Sequence, residues 1–171
     1  VEVLADPSNH APVIVSEPVL TVFSDIEETN PKTYGGIDFP LGDLSFADSV
    51  VAFLPGSGVS GSHLDGQRTV GPPDGVAASL GRLGSLVLEF NDNLLIYQDD
   101  VQKGLDLFVF EVGPVVEYFQ AEISTDLDSW IDLGVFRGQP TGIDIKPYID
   151  PDDSFRFVRL TDVTPNQTGS P

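Results

Sequence analysis

Gly104-Leu-Asp-Leu-Phe-Val-Phe-Glu-Val-Gly113 and Tyr118-Phe-Gln-Ala-Glu-Ile-Ser-Thr-Asp-Leu-Asp-Ser-Trp130-Ile-Asp-Leu133 decide the fold class. The first run is apolar nearly throughout and rich in β-branched and aromatic residues, the pattern of a strand buried on both faces. In the second, Phe119, Ala121 and Ile123 alternate with Gln120, Glu122 and Ser124, the two-residue period of a half-buried strand. A Gly113-Pro114 turn region lies between the runs, and the rest of the chain reads as sheet built around this pair. Asp126 to Ser129 supply turn chemistry, because Asx side chains bond their own backbone. Trp130, the only Trp, opens the next strand.

Outward from this pair the same grammar repeats. Phe46–Leu54, Ser85–Phe90, Leu94–Tyr97, Trp130–Phe136, Thr141–Ile145 and Phe155–Asp162 are strand candidates, with Gly134 marking a bulge. Gly and Pro, 17 and 14 in number, punctuate them, and no run of helical period reaches ten residues. Eight to ten short strands at turn-marked intervals predict an all-β, antiparallel β-sandwich. Residues 55–76 form the longest turn-rich stretch, of a length that is functional or metal-ordered more often than idle. Residues 1–34 read as an extended N-terminal arm or linker, with 35–171 as the β-sandwich domain.

The charge is the largest anomaly. There are 27 acids against 8 bases, a net charge of −19, and Asp outnumbers Glu 19 to 8. Such a field repels phosphates, which argues against nucleic acid or anionic lipid as partner. It fits either bound cations or a surface adapted to salty water, where screening softens self-repulsion. No apolar run approaches the ~18 residues of a membrane-spanning helix. The absence of Cys excludes a disulfide scaffold and thiolate metal sites. Without a Met, Val1 reads as the start of a processed chain or a fragment.

Three segments resemble the galactose-binding-like jelly roll, the discoidin and carbohydrate-binding-module class. Gly84-Ser-Leu-Val-Leu-Glu-Phe90 follows Asp74-Gly75. The run Phe119 to Gly134 is similar to that class's strand–turn–Trp–strand hairpin, and Phe155-Arg-Phe-Val-Arg-Leu160 to its late strand. Ala47-Asp-Ser-Val-Val-Ala-Phe-Leu-Pro-Gly56, Gly71-Pro-Pro-Asp-Gly75 and Asp106-Leu-Phe-Val-Phe-Glu-Val-Gly113 resemble modules of bacterial cell-surface, adhesin-like proteins. The resemblance implies a jelly-roll sandwich, an extracellular or cell-surface location, a core position for Trp130 and a structural calcium ion near residues 65–75.

The candidate chemistry follows. Calcium takes six to eight hard oxygens from loop carboxylates and carbonyls. Asp65 and Asp74 are the first candidates, joined by Asp99, Asp100 and Asp106. Glu111, roughly 17 Å from Asp106 along one strand, cannot share an ion with it. Glycan sites use aromatic platforms beside hydrogen-bonding groups, and Tyr97 and Tyr148, next to acidic loops, are the exposed candidates; Arg82 and Arg137 are the candidate donors. Tyr34 and Tyr118 are weaker platforms. Ser60, Ser62, His63 and Asp65 crowd one loop, but triad members normally converge from separate elements, and no nucleophile elbow or zinc-binding helix motif occurs.

The expectation is a non-catalytic, extracellular, calcium-dependent adhesion or glycan-binding module, its partner a polysaccharide or cell-surface glycan. The alternative is a structural subunit of a surface fibre or layer, self-associating when the N-terminal arm adds a strand to a neighbour's sheet.

Overall fold

A computed structural model describes residues 30–98, 104–113 and 116–164. Their strands, in chain order, are β1 (Lys32–Tyr34), β2 (Ile37–Phe39), β3 (Ser49–Leu54), β4 (Ser85–Glu89), β5 (Leu95–Ile96), β6 (Leu107–Val109), β7 (Phe119–Ser124), β8 (Ile131–Phe136), β9 (Thr141–Ile143), β10 (Ser154–Phe155) and β11 (Phe157–Asp162). Every sheet pairing among them is antiparallel. Helical structure among the described residues is confined to four 3₁₀ turns of three or four residues. The chain is all-β.

The alternation in β7 fixes the main sheet. Phe119, Ala121 and Ile123 are buried, whereas Gln120 and Glu122 are half-exposed. Their register partners on β11 obey the same division. Leu160 and Val158 sit opposite Ala121 and Ile123 and are buried, while Arg159 faces outward opposite Glu122. The sheet runs β3-β4-β11-β7-β8, so β3 and β8 are its edges. Both edges are bulged. The register slips at Val51 in β3, and at Leu133–Gly134 in β8, where Gly134 takes φ +105°. The bulge expected at Gly134 is present.

A single core joins this sheet to two of the smaller ones, β5–β10 and β6–β9. Ala121, Ile123, Leu133, Val158 and Leu160 pack in one cluster with Leu95 of β5, Leu107 of β6, Ile143 of β9, Phe155 of β10 and Ile145. Each fully buried side chain of this size contributes about 1.5–3 kcal/mol, so the small sheets are held by burial more than by their two or three ladder pairs.

The stretch 104–113 departs from expectation. Only Leu107–Val109 is strand, and it pairs with β9, not with β7. At the start of this stretch the Asp106 carboxylate accepts two backbone N–H groups, from Gln98 and Ile145, while Asp106 N donates to Ile143 O at 3.0 Å. The two faces of the stretch are nevertheless both covered. Leu107 and Val109 meet the core, while Phe108 and Phe110 join Phe39 in an aromatic cluster that extends through Phe46 to Tyr34. This cluster seats the β1–β2 hairpin. Lys32–Tyr34, the described end of the expected arm, are therefore a paired strand; residues 1–29 lie outside the described residues.

One close approach explains two glycines. Gly56 N donates to Leu80 O and Ser57 bridges Arg82. A Cβ on Gly84 would lie 1.8 Å from Leu80 O, and one on Gly56 2.0 Å from Arg82 O, so no side chain fits at either position.

Candidate functional site

The chemistry-bearing residues gather where β5 and β9 end. Tyr97 follows β5, and Lys146-Pro147-Tyr148 forms a one-turn 3₁₀ helix shortly after β9. Pro at the second position suits such a turn, since its missing N–H is an orphan there in any case. Asp144 Oδ1 accepts Lys146 N at 2.9 Å, and Tyr148 N donates to Ile145 O at 3.0 Å. The turn is seated by Ile145, wholly buried in the core, and by half-buried Ile149. Asp106 ties the two segments together, since one of its oxygens accepts Gln98 N at 2.9 Å and the other Ile145 N at 3.1 Å.

On this frame the Lys146 ammonium stands 4.8 Å over the Tyr97 ring. Tyr97 leans on the core, whereas Tyr148 is 44% exposed. Three of the nominated residues, Tyr97, Asp106 and Tyr148, thus come together at one corner, with Lys146 as a fourth. Lys146 escaped the sequence reading because a lone Lys in a loop carries no periodic signal. Its place beside Pro147 and Tyr148 was the available hint.

The remaining nominees are scattered. Asp65 caps a 3₁₀ turn, accepting Gln67 N at 3.0 Å, with Arg68 Nε 3.9 Å away. Asp74 accepts Val76 N at 2.8 Å. The loop they share is tied to its surroundings by hydrogen bonds, among them Gly71 N to Ala47 O and Ser79 N to His63 O. His63 Nδ1 lies 3.3 Å from Ala77 O. Arg82 is exposed beside the Ser57 bridge. Arg137 Nε donates to Val116 O at 3.1 Å, and its guanidinium covers the Tyr118 ring at 5.0 Å. Tyr34 donates its hydroxyl to Asp43. Asp99 and Asp100 lie outside the described residues.

Asp65, Asp74 and Asp106 each accept backbone N–H groups, and no group of three or more His, Cys, Asp or Glu that could hold a metal ion is found among the described residues.

Trp130 is not in the core. It is half-buried, its Nε1 donates to Leu127 O at 2.9 Å, and Arg159 stacks over its ring at 4.2 Å. It stands by the outward face of the sheet, where Arg159 also grips Glu122 through two 2.6 Å bonds. The indole N–H needs a polar partner and finds it in the preceding turn.

A second acidic group, unseen in the sequence, lies around Glu117. Burial, followed by the Asp162 and Glu111 carboxylates, pushes its pKa up. Glu111 Oε1 accepts Glu117 N at 3.0 Å, while Oε2 is buried with no hydrogen-bond partner among the described residues.

No protein family, curated protein or solved structure matches the chain.

Proposed function

We propose that the chain is a non-catalytic, extracellular glycan-binding module of the jelly-roll, galactose-binding-like type, and that its ligand meets the corner of Tyr97, Lys146 and Tyr148. The carrying observation is Tyr148, an exposed ring on a one-turn helix fixed by buried Ile145. A sugar face lies flat on an aromatic ring, and a rigidly seated ring loses little entropy on binding. Asp144, Lys146 and Asp150, chain neighbours of Tyr148, are the candidate donors and acceptors. With a net charge of −19, the favoured glycans are neutral or amino-bearing, because uronate and sulfate groups are repelled. The sandwich part of the reading is supported by the single core that joins the five-stranded sheet to β5, β6, β9 and β10.

Affinity electrophoresis of the full chain through gels of neutral and amino polysaccharides tests this. Retention is expected on at least one, weakened about tenfold or more, equivalent to about 1.4 kcal/mol, by Tyr148→Ala. The melting temperature of that variant should match the parent, because the ring is exposed. Equal retention of parent and variant, or none on any polysaccharide, refutes the proposal.

A further inference from the structure

Three carboxylates converge on the entry to β7, and the glycan reading uses none of them. Glu111 Oε1 accepts Glu117 N at 3.0 Å. Tyr118 N donates to Thr164 Oγ1 at 2.9 Å, and Thr164 Oγ1 in turn donates to Asp162 Oδ2 at 3.0 Å. Val163 N donates to Tyr118 O at 3.0 Å, and Asp162 stands opposite Phe119 in the β11–β7 ladder. Glu117 carries the third carboxylate. Asp162 is 4% exposed, whereas Glu117 is exposed, so a proton on it exchanges with solvent.

One oxygen of this group is left over. Glu111 Oε2 is buried and has no hydrogen-bond partner among the described residues. A second buried oxygen without one, Thr141 Oγ1, belongs to the same part of the fold. Thr141 is 8% exposed and pairs with Val109, two residues before Glu111. The end of the β6–β9 ladder is thus short of partners, and an ionised carboxylate bears such a shortage worst. A donor to Glu111 Oε2 must come from close by. Arg137 is the cation bonded to this segment, but its Nε donates to Val116 O at 3.1 Å and its guanidinium lies over the Tyr118 ring at 5.0 Å. Gln139 is engaged as well, its Nε2 donating to Glu111 O and Gly113 O. Glu117 remains. Its backbone is already bonded to the other oxygen of the same carboxylate, which puts Oε2 within reach of its side chain.

We propose that Glu117 is a proton-operated latch at the entry to β7. Protonated, its carboxyl donates a hydrogen bond to Glu111 Oε2 and reinforces the bond from Glu117 N to Oε1. Ionised, it is repelled by Glu111 and Asp162 and loosens the entry, because like-charged carboxylates that share a site resist ionising together. The charged and titratable groups around it are Glu111 from the segment after β6, Asp162 from β11, Arg137 just past β8 and its own neighbour Tyr118. Burial of part of the side chain, then Asp162 and Glu111, raise the Glu117 pKa, the direction that a latch closing in acid requires. This inference does not rest on the glycan reading.

Carboxyl-carbon NMR of the full chain, titrated from acid to neutral pH in constant salt, tests it; the resonance missing in Glu117→Gln identifies Glu117. Its midpoint is expected above that of the same residue in the urea-unfolded chain, and Glu111→Gln should bring it down toward the unfolded value. Amide exchange gives the second readout. Corrected for the intrinsic pH dependence of exchange, the Glu117 N–H should exchange about tenfold or more slowly below the folded midpoint than above it. In Glu117→Gln it should be slow at both, because a carboxamide donates as the protonated acid does. A Glu117 midpoint equal to the unfolded one, or corrected exchange that is the same at both pH values, overturns the proposal. A midpoint unmoved by Glu111→Gln would assign the shift to burial alone. A midpoint that calcium lowers at constant ionic strength would make a cation, not a proton, the occupant of these carboxylates. Either result overturns it as well.

Discussion

Removing the Arg159 guanidinium should cost more than removing it together with its partner. Arg159 and Glu122 are directly opposed on β11 and β7 and joined by two 2.6 Å hydrogen bonds. Their side chains are 31% and 14% exposed, so the pair is more enclosed than an exposed one, for which coupling is about 0.2–1 kcal/mol. It is less enclosed than a fully buried pair, where loss of one partner costs about 3–5 kcal/mol. Arg159→Leu also removes the stacking on Trp130, which adds about 0.5–1 kcal/mol. The single variant should therefore lose about 2–3 kcal/mol, because it strands a carboxylate against the sheet face. The double variant Glu122→Leu/Arg159→Leu should fall within about 1 kcal/mol of the parent, since apolar residues of similar volume remove the stranded charge. Urea unfolding followed by the fluorescence of the single Trp, which Arg159 contacts, measures both. For a chain of this size the single variant's melting point should drop by about 4–12 °C. A single variant within about 0.5 kcal/mol of the parent, or a double variant as weak as the single, would refute the reasoning.

Trp130→Ala should cost about 1–2 kcal/mol, not the about 3–5 of a core aromatic, because its ring is half-buried and stacked on Arg159; denaturant unfolding decides, and a loss near the upper figure would place the ring back in the core. Glu117→Gln should raise the melting temperature at neutral pH. Burial and the Asp162 and Glu111 carboxylates raise the Glu117 pKa in the fold above its unfolded value. The folded state therefore binds the proton more tightly, and the charged form is destabilising above the folded pKa. That penalty fades as pH falls through the folded pKa and is gone below the unfolded one. The advantage of the variant should vanish at acid pH, and an advantage that persists there would contradict the assignment. In constant high salt, calcium against excess chelator should shift the melting temperature by less than about 2 °C, since Asp65, Asp74 and Asp106 are bonded to amides. A large gain would return the ion by mass action and direct the search for its ligands to Asp99 and Asp100.

Period-two alternation marked 119–124 as a strand, because half-burial of a strand writes itself into every second residue. A glycine inside a strand run made Gly134 legible as a bulge, and short strands at turn-marked intervals made the chain legible as all-β. Pairing was not legible. The run 104–113 looks like the partner of 119–124, yet β6 pairs with β9, the Asp106 carboxylate binds two distant amides, and Phe108 and Phe110 meet the β1–β2 hairpin. Nothing local encodes a contact of that range. The acidic composition likewise did not tell which carboxylates would accept backbone amides, and the tertiary structure shows Asp65, Asp74 and Asp106 doing so. Trp130 was misplaced because a lone aromatic at a strand start has the same local pattern whether it faces inward or outward. Its side was set by Arg159 on another strand. The sequence alone marked most strands of the main sheet, since that depends on residue type and spacing, but not the β1–β2 hairpin or the short extent of β6. Which strands meet, and which side chains share the Tyr97–Tyr148 corner, depends on the burial of Ile145, Leu107 and Ile143 in a common core, and only the folded chain decides that.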